Sequence, residues 1–130
     1  MKEVVGFILY NLEGKILLQH RTDDAPTDAS KWTIFGGGVK KGEDSLTAVK
    51  RESLEELEYM LGSPQLVYKK QLGNELVYIY IEVYDSKQEL VLHEGRGMGW
   101  YSYEELNNLD LADYNLEILL NVQNELNRGK

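Results

Sequence analysis

Three carboxylates, Glu52, Glu55 and Glu56, stand in one hexapeptide, Arg51-Glu52-Ser53-Leu54-Glu55-Glu56, shortly after the triple glycine Gly36-Gly37-Gly38. At about 100° of rotation per residue, a helix brings all three onto one stripe within a turn. Like charges at three- and four-residue spacing weaken a helix by about 0.2–0.5 kcal/mol per pair. The stripe therefore calls for a compensating positive charge, and a divalent cation supplies one. Taken alone, acidic residues on a helix are by base rate a solvated face. The residues around these three decide between the two readings.

A strand, a turn and a helix must position the acids. Residues 32–35 read as a short strand that ends at the glycines, and Lys40-Lys41-Gly42 as a turn. Residues 44–61 have helical period, with Leu46, Val49, Ser53, Leu57 and Met60 on one face; Asp44 or Ser45 caps the start, and Gly62 with Pro64 ends it. Ahead of this lies a hairpin, residues 4–10 and 16–18, joined through Asn11 and Gly14. A second hairpin joins residues 66–72 and 75–84 around Gly73-Asn74, setting Tyr78 and Tyr80 on one face and Val77, Ile79 and Ile81 on the other. Residues 89–92 and 98–101 read as short strands around a glycine-rich loop. Ser102 and Glu105 have capping-box spacing. Asp113 is the expected cap of a last helix that buries Leu116, Leu119, Leu120 and Val122, and residues 127–130 are expected to fray. This order predicts an α+β sandwich rather than regular βαβ repeats.

The 130 residues suit a single domain spanning 1–130, and a 42% hydrophobic share supports a packed core despite 28% charged residues. A net charge of -8 argues against a large nucleic-acid or anionic-membrane partner, since both need a basic face. Small phosphorylated ligands remain open to it, because Mg²⁺ can bridge phosphates to carboxylates. The sequence has no cysteine, which removes thiolate chemistry and suits a reducing, cytoplasmic setting. Two histidines, His20 and His93, are too few for a histidine metal site.

Read from Gly37, the spacing is Gly, five residues, Glu43, seven residues, Arg51-Glu52, two residues, Glu55-Glu56. This resembles the Nudix box. The resemblance implies a Nudix-like α/β/α sandwich with a mixed central β-sheet, and a Mg²⁺-dependent hydrolase, Mn²⁺ serving as a substitute. Such an enzyme cuts the pyrophosphate of a nucleoside diphosphate linked to another group, in a nucleoside triphosphate or a nucleotide sugar. Carried over position by position, it makes Glu52 and Glu56 the leading metal ligands, with Glu55 and the Gly37 carbonyl beside them. Glu43 and Arg51 are implied to hold the loop against the helix. The catalytic base is a box glutamate or an acid from a later loop, here Glu94, so the set expected at the reaction is Glu55, Glu56, Glu94 and Arg51. The chain departs from the family at Ser53, usually aliphatic, at Glu58, usually glycine, and at Phe35, often proline. Ser53 is expected either to leave the helix packed less tightly or to hydrogen-bond a carbonyl one turn back, and Gly62 to replace Glu58 as helix terminator. The departures at Ser53 and Glu58 also suit a non-catalytic module that senses a nucleotide or docks on a protein.

The physical chemistry agrees with the resemblance, because water must reach a phosphorus shielded by negative oxygens. A base could stack on Trp32, Phe35, Tyr78 or Tyr80, although large aromatics more often fill cores. Arg21 and Arg96 are the candidate phosphate contacts, or else surface charges. The expected partner is a small nucleotide, and a homodimer is compatible with the chain.

Overall fold

In the computed structural model, which describes residues 1–128, β1 (Lys2–Tyr10) lies inside a seven-stranded mixed sheet. It runs parallel to β6 (Glu75–Val83) from Lys2↔Glu75 to Tyr10↔Val83 and antiparallel to β4 (Phe35–Gly38). Residues 5–9 are all buried, so β1 reads as a continuous apolar run instead of an alternation, as expected of a strand covered on both faces. β2 (Ile16–His20) leaves β1 after the pair Tyr10↔Ile16 and continues between β3 (Trp32–Thr33) and β7 (Gly97–Tyr101). β5 (Gln65–Leu72) closes the opposite edge by pairing with β6.

One helix covers each face. α1 (Ser45–Leu57) packs Ala48, Val49 and Leu57 onto Phe7, Leu9, Leu17 and Phe35. α2 (Asn115–Arg128) packs Ile118, Leu119 and Val122 onto Ile8, Ile16, Leu18, Val77, Ile79 and Ile81. The result is the α/β/α sandwich expected of the chain; the alternation along β6 keeps Tyr78 and Tyr80 on one face, as read from the sequence, and that face is the one under α1. Among the described residues no helix is long and apolar enough to cross a membrane.

Several local expectations change. The segment 32–35 is two strands, because Ile34 leaves the ladder and donates its N–H to Asn115 Oδ1 at 2.9 Å. The glycines extend the second of them, with Gly36, Gly37 and Gly38 paired to Gly6, Val5 and Val4. A Cβ on Gly36 would strike the Val5 carbonyl and the Gly6 Cα, so the two backbones meet there only without a side chain.

α1 stops at Leu57, short of the expected 61. Glu58 is left-handed (φ 52°) and its N–H bonds back to the Leu54 and Ser53 carbonyls, a C-terminal cap that glycine usually provides. Ser53 faces forward, not one turn back: its hydroxyl donates to the Tyr59 carbonyl at 2.7 Å, fixing the chain as Tyr59 turns into the core. Both departures from the box thus shape the helix end. Leu46 and Met60 are exposed, and Ala48 takes the inward place.

Residues 89–92 form no strand; Val91 N–H instead meets the Leu57 carbonyl, and just beyond the segment His93 N–H meets the Glu56 carbonyl. Half of the capping box exists, Ser102 N–H to Glu105 at 2.9 Å, ahead of a 3₁₀ turn at Glu104–Asn108. Near α2 it is the Asp113 carbonyl that is engaged, by Asn115 Nδ2 at 3.1 Å. Leu116 and Leu120 are exposed, and Ile118 joins Leu119 and Val122 inside. The fraying expected at 127–130 meets helix at Asn127 and Arg128, and Gly129 and Lys130 lie outside the described residues.

Candidate active site

The site is assembled where β4 passes under α1. Asp44 starts the helix by accepting the Thr47 N–H at 2.7 Å, which fixes the rotation of the helix and hence the face that carries the acids. Gly37 lies directly beneath Glu52, and any Cβ there would overlap the Glu52 carboxylate. The missing side chain is what lets the carboxylate reach the strand.

Arg51 is the node that binds loop to helix. It grips Glu43 through Nε (2.7 Å) and Nη2 (3.0 Å), reaches the Gly38 carbonyl at 2.9 Å, and pairs through Nη1 with Glu52 (2.8 Å) and Glu55 (3.1 Å). The two-point grip, with a further bond from the Lys40 N–H, holds the Glu43 carboxyl down at about 2. In return these carboxylates raise the already high pKa of Arg51. The guanidinium therefore faces protein groups on every side and positions Glu52, consistent with the holding role implied by the resemblance.

Glu56 is the anomaly of the site. It is only 5% exposed, and its Oε2 is buried without a hydrogen-bond partner among the described residues. Burial, then the charges of Glu52, Glu94 and Glu55, push its carboxyl up to about 9, against a weaker opposing pull from a Gly36 N–H. Burial likewise raises Glu52, and the nearby Arg51 only partly offsets this. A buried carboxylate ringed by carboxylates is a costly arrangement unless a cation joins it. Among the described residues no three such groups converge as a ready-made metal cluster, since Glu52 and Glu55 turn to Arg51. The donor set nonetheless fits a hard divalent ion: oxygen ligands only, one of them orphaned, with Glu55 held by a half-exposed contact to Arg51.

Glu94 sits on an exposed loop, and its charge acts on both Glu52 and Glu56. The loop is docked on β2, where Gln19 Nε2 donates to the Glu94 carbonyl at 3.0 Å and Arg96 N–H to the His20 carbonyl at 2.8 Å. Sequence reasoning passed over Gln19, a buried polar residue on an apolar strand, and also Asn115, which holds Ile34 and Thr33. An amide directly after the apolar run Ile16-Leu17-Leu18 was the available signal for Gln19.

From the glycines a cleft of about 290 Å³ runs along the α2 side of the sheet, lined by Gln19, Arg21, Thr33, Val77, Ile79 and Asn115 among others. Arg21 also faces an adjoining hollow beside Glu94; its Nε is tied to the Thr27 carbonyl at 2.9 Å. The expected aromatic platforms fare differently. Phe35 is 1% exposed and stacks on Phe7, and Tyr80 is 6% exposed with its hydroxyl on Ser45, so both side chains belong to the core on the α1 face of the sheet. Tyr78 also lies on that face, bonded to Glu3 and overlain by Lys69. Trp32 stacks on His20 at 4.4 Å and meets Tyr101 edge-on. Arg96 pairs with Asp23 at 2.7 Å.

The NUDIX domain family matches residues 2–122, and the chain belongs to that family. It is 30% identical over 113 residues to an RNA pyrophosphohydrolase of Bartonella clarridgeiae, a match covering 79% of this chain and 60% of that one. A second RNA pyrophosphohydrolase, from Gluconacetobacter diazotrophicus, is 40% identical over 57 residues, 41% of this chain and 34% of that one. The chain thus spans about 60% and 34% of these two relatives' lengths. In three dimensions it is similar to a MutT structure from work on Aliivibrio salmonicida and Vibrio cholerae, with a TM-score of 0.81 and 21% identity over 93% of this chain and 95% of that one.

Proposed function

We propose that this chain hydrolyses a pyrophosphate bond in a nucleotide with the help of Mg²⁺ or Mn²⁺. One observation carries the reading: the buried Glu56 carboxylate, its Oε2 unpartnered among the described residues, with Glu52, Glu55 and Glu94 around it. Glu52 and Glu56 would hold the cation, with Glu55 and the Gly37 carbonyl as further donors. When bound, it neutralises phosphate oxygens and lowers the pKa of water. Glu94, on the loop beside this pair, is the proposed acceptor of the water's proton, and Glu55 is the second candidate. Arg51 acts by holding Glu52 in place.

The cleft beside the glycines is the proposed nucleotide seat. Its Val77 and Ile79 wall offers apolar contact, and Arg21 offers the guanidinium hydrogens not used by Thr27 to a phosphate. Trp32, Tyr78 and Arg96 stay candidate contacts of a longer substrate. The acidic surface supports a small nucleotide over a polymer, and the lack of cysteine supports a cytoplasmic setting.

Nucleoside triphosphates, nucleotide sugars and a 5′-triphosphorylated RNA oligomer, incubated with Mg²⁺ and with a chelator, test the proposal; the RNA is included because two relatives are RNA pyrophosphohydrolases. Chelator-sensitive release of pyrophosphate, phosphate or a nucleoside monophosphate from at least one is expected. No product from any of them would overturn it.

A further inference from the structure

Glu94 belongs to a loop clamped at both ends, and one clamp uses a residue that strains the backbone. On its leading side His93 Nε2 donates to Glu58 Oε2 at 2.6 Å, and His93 N–H bonds to the Glu56 carbonyl at 2.9 Å. On its trailing side Arg96 bonds to Asp23 at 2.7 Å and to the His20 carbonyl at 2.8 Å. Only Glu94 and Gly95 stand between the two posts, and Gly95 is left-handed (φ 94°) against His20 and Gln19. Between the posts the Glu94 backbone is held only at its carbonyl, by Gln19 Nε2 at 3.0 Å, so the setting of the acid depends on how firmly both posts are fixed.

Glu58 itself sits at φ 52°, where a non-glycine side chain is strained. Its ion pair with His93 is about half exposed on both sides, and pairs of that kind add little stability. Stability alone would thus favour glycine at 58, so the glutamate side chain has another use.

We propose that Glu58 and His93 form a latch that positions Glu94 over the Glu52–Glu56 pair. Glu58 is a positioning residue: it fixes His93 to the end of the same helix that carries Glu52 and Glu56, so the acid and its targets share one rigid reference. The turnover part of this inference rests on the hydrolase reading above; the loop part does not.

Three variants test it, Glu58→Gly, His93→Ala and the double, together with Glu58→Gln, which keeps an acceptor at the same reach. Amide exchange is measured at 93–96 and in β1. For Glu58→Gly we expect an unchanged or higher Tm, exchange at 93–96 faster by about tenfold from local opening with β1 as in the wild type, and kcat lower by about tenfold with KM nearly constant. The double variant should lose no more than the worse single, and Glu58→Gln should recover most of the loss. Wild-type exchange at 93–96 in Glu58→Gly overturns the latch whether or not the protein hydrolyses anything. Faster exchange with wild-type kcat, or additive losses in the double variant, overturns its positioning role. Absence of activity in the wild type overturns the hydrolase reading instead and leaves the loop to be judged by exchange.

Discussion

Gly36 and Gly37 are neighbours in one strand, yet an alanine at each meets a different obstacle. At 36 the new methyl would strike the backbone of β1, which cannot move without breaking the sheet; at 37 it meets only the end of the Glu52 side chain. Gly36→Ala should therefore unfold the protein at markedly lower temperature, by analogy with overpacking that costs about 1–3 kcal/mol. Gly37→Ala should leave Tm within a few degrees and remove most turnover, because it displaces Glu52. Thermal melts beside a turnover assay separate the two, and a Gly37→Ala protein with full activity would remove Glu52 from the site. Glu56→Gln belongs to the same scale. It keeps the shape of a buried side chain while removing its ability to ionise toward a cation, so the fold should persist and turnover fall by about a hundredfold or more, as for a lost ligand of an essential cation. The acids at these positions were visible in the sequence because each has a fixed spacing from Gly37. The aromatic contacts were not, since a tyrosine that fills a core and one that stacks on a base look alike until the strand faces are known.

At the scale of elements, the start of α1 was legible and its end was not. Asp44 announces a helix through local chemistry alone, whereas the stop at Leu57 depends on a left-handed Glu58 and on Ser53 meeting Tyr59. Residues 89–92 looked like a strand for the same reason: the Val91 N–H meets the carbonyl of a helix end more than 30 positions earlier, and no periodicity reports that. Two predictions follow from the loop and helix around Arg51. Ser53→Ala leaves the Tyr59 carbonyl without the hydroxyl it uses and should cost about 1–3 kcal/mol in urea unfolding. Acid should also loosen this element. The carboxyls of Glu43, held at about 2 against an ordinary 4.5, and of Asp44, lowered by the Thr47 amide, favour the folded state while ionised. Their stabilisation is complete above about pH 4.5 and is lost as the pH falls toward about 2. Glu43→Gln should flatten that part of a stability-against-pH curve, and an unchanged acid limb would show that the Arg51–Glu43 contact adds nothing to folding.

For the molecule as a whole, the sandwich was readable because two apolar helix faces and two hairpins admit few arrangements, while the parallel pairing of β1 with β6 joins residues over 70 positions apart and leaves no local trace. The architecture places the strained acids of α1 against the middle of the sheet, so occupancy of the site should be felt globally. Folding must bury Glu56 next to three other carboxylates, and a bound cation offsets that cost only in the native state. At a hundredfold excess over its Kd a ligand of the native state adds about 2.7 kcal/mol, which for a domain of this size raises Tm by roughly 10 °C. A net charge of -8 also attracts cations without a site, and that part is screening, which Na⁺ reproduces at equal ionic strength. The expected result is thus a rise with Mg²⁺ well above that with matched NaCl, reversed by a chelator and nearly absent in Glu56→Gln. Equal shifts with Mg²⁺ and NaCl, or a full Mg²⁺ shift in Glu56→Gln, would mean that the acids of α1 do not hold a cation together.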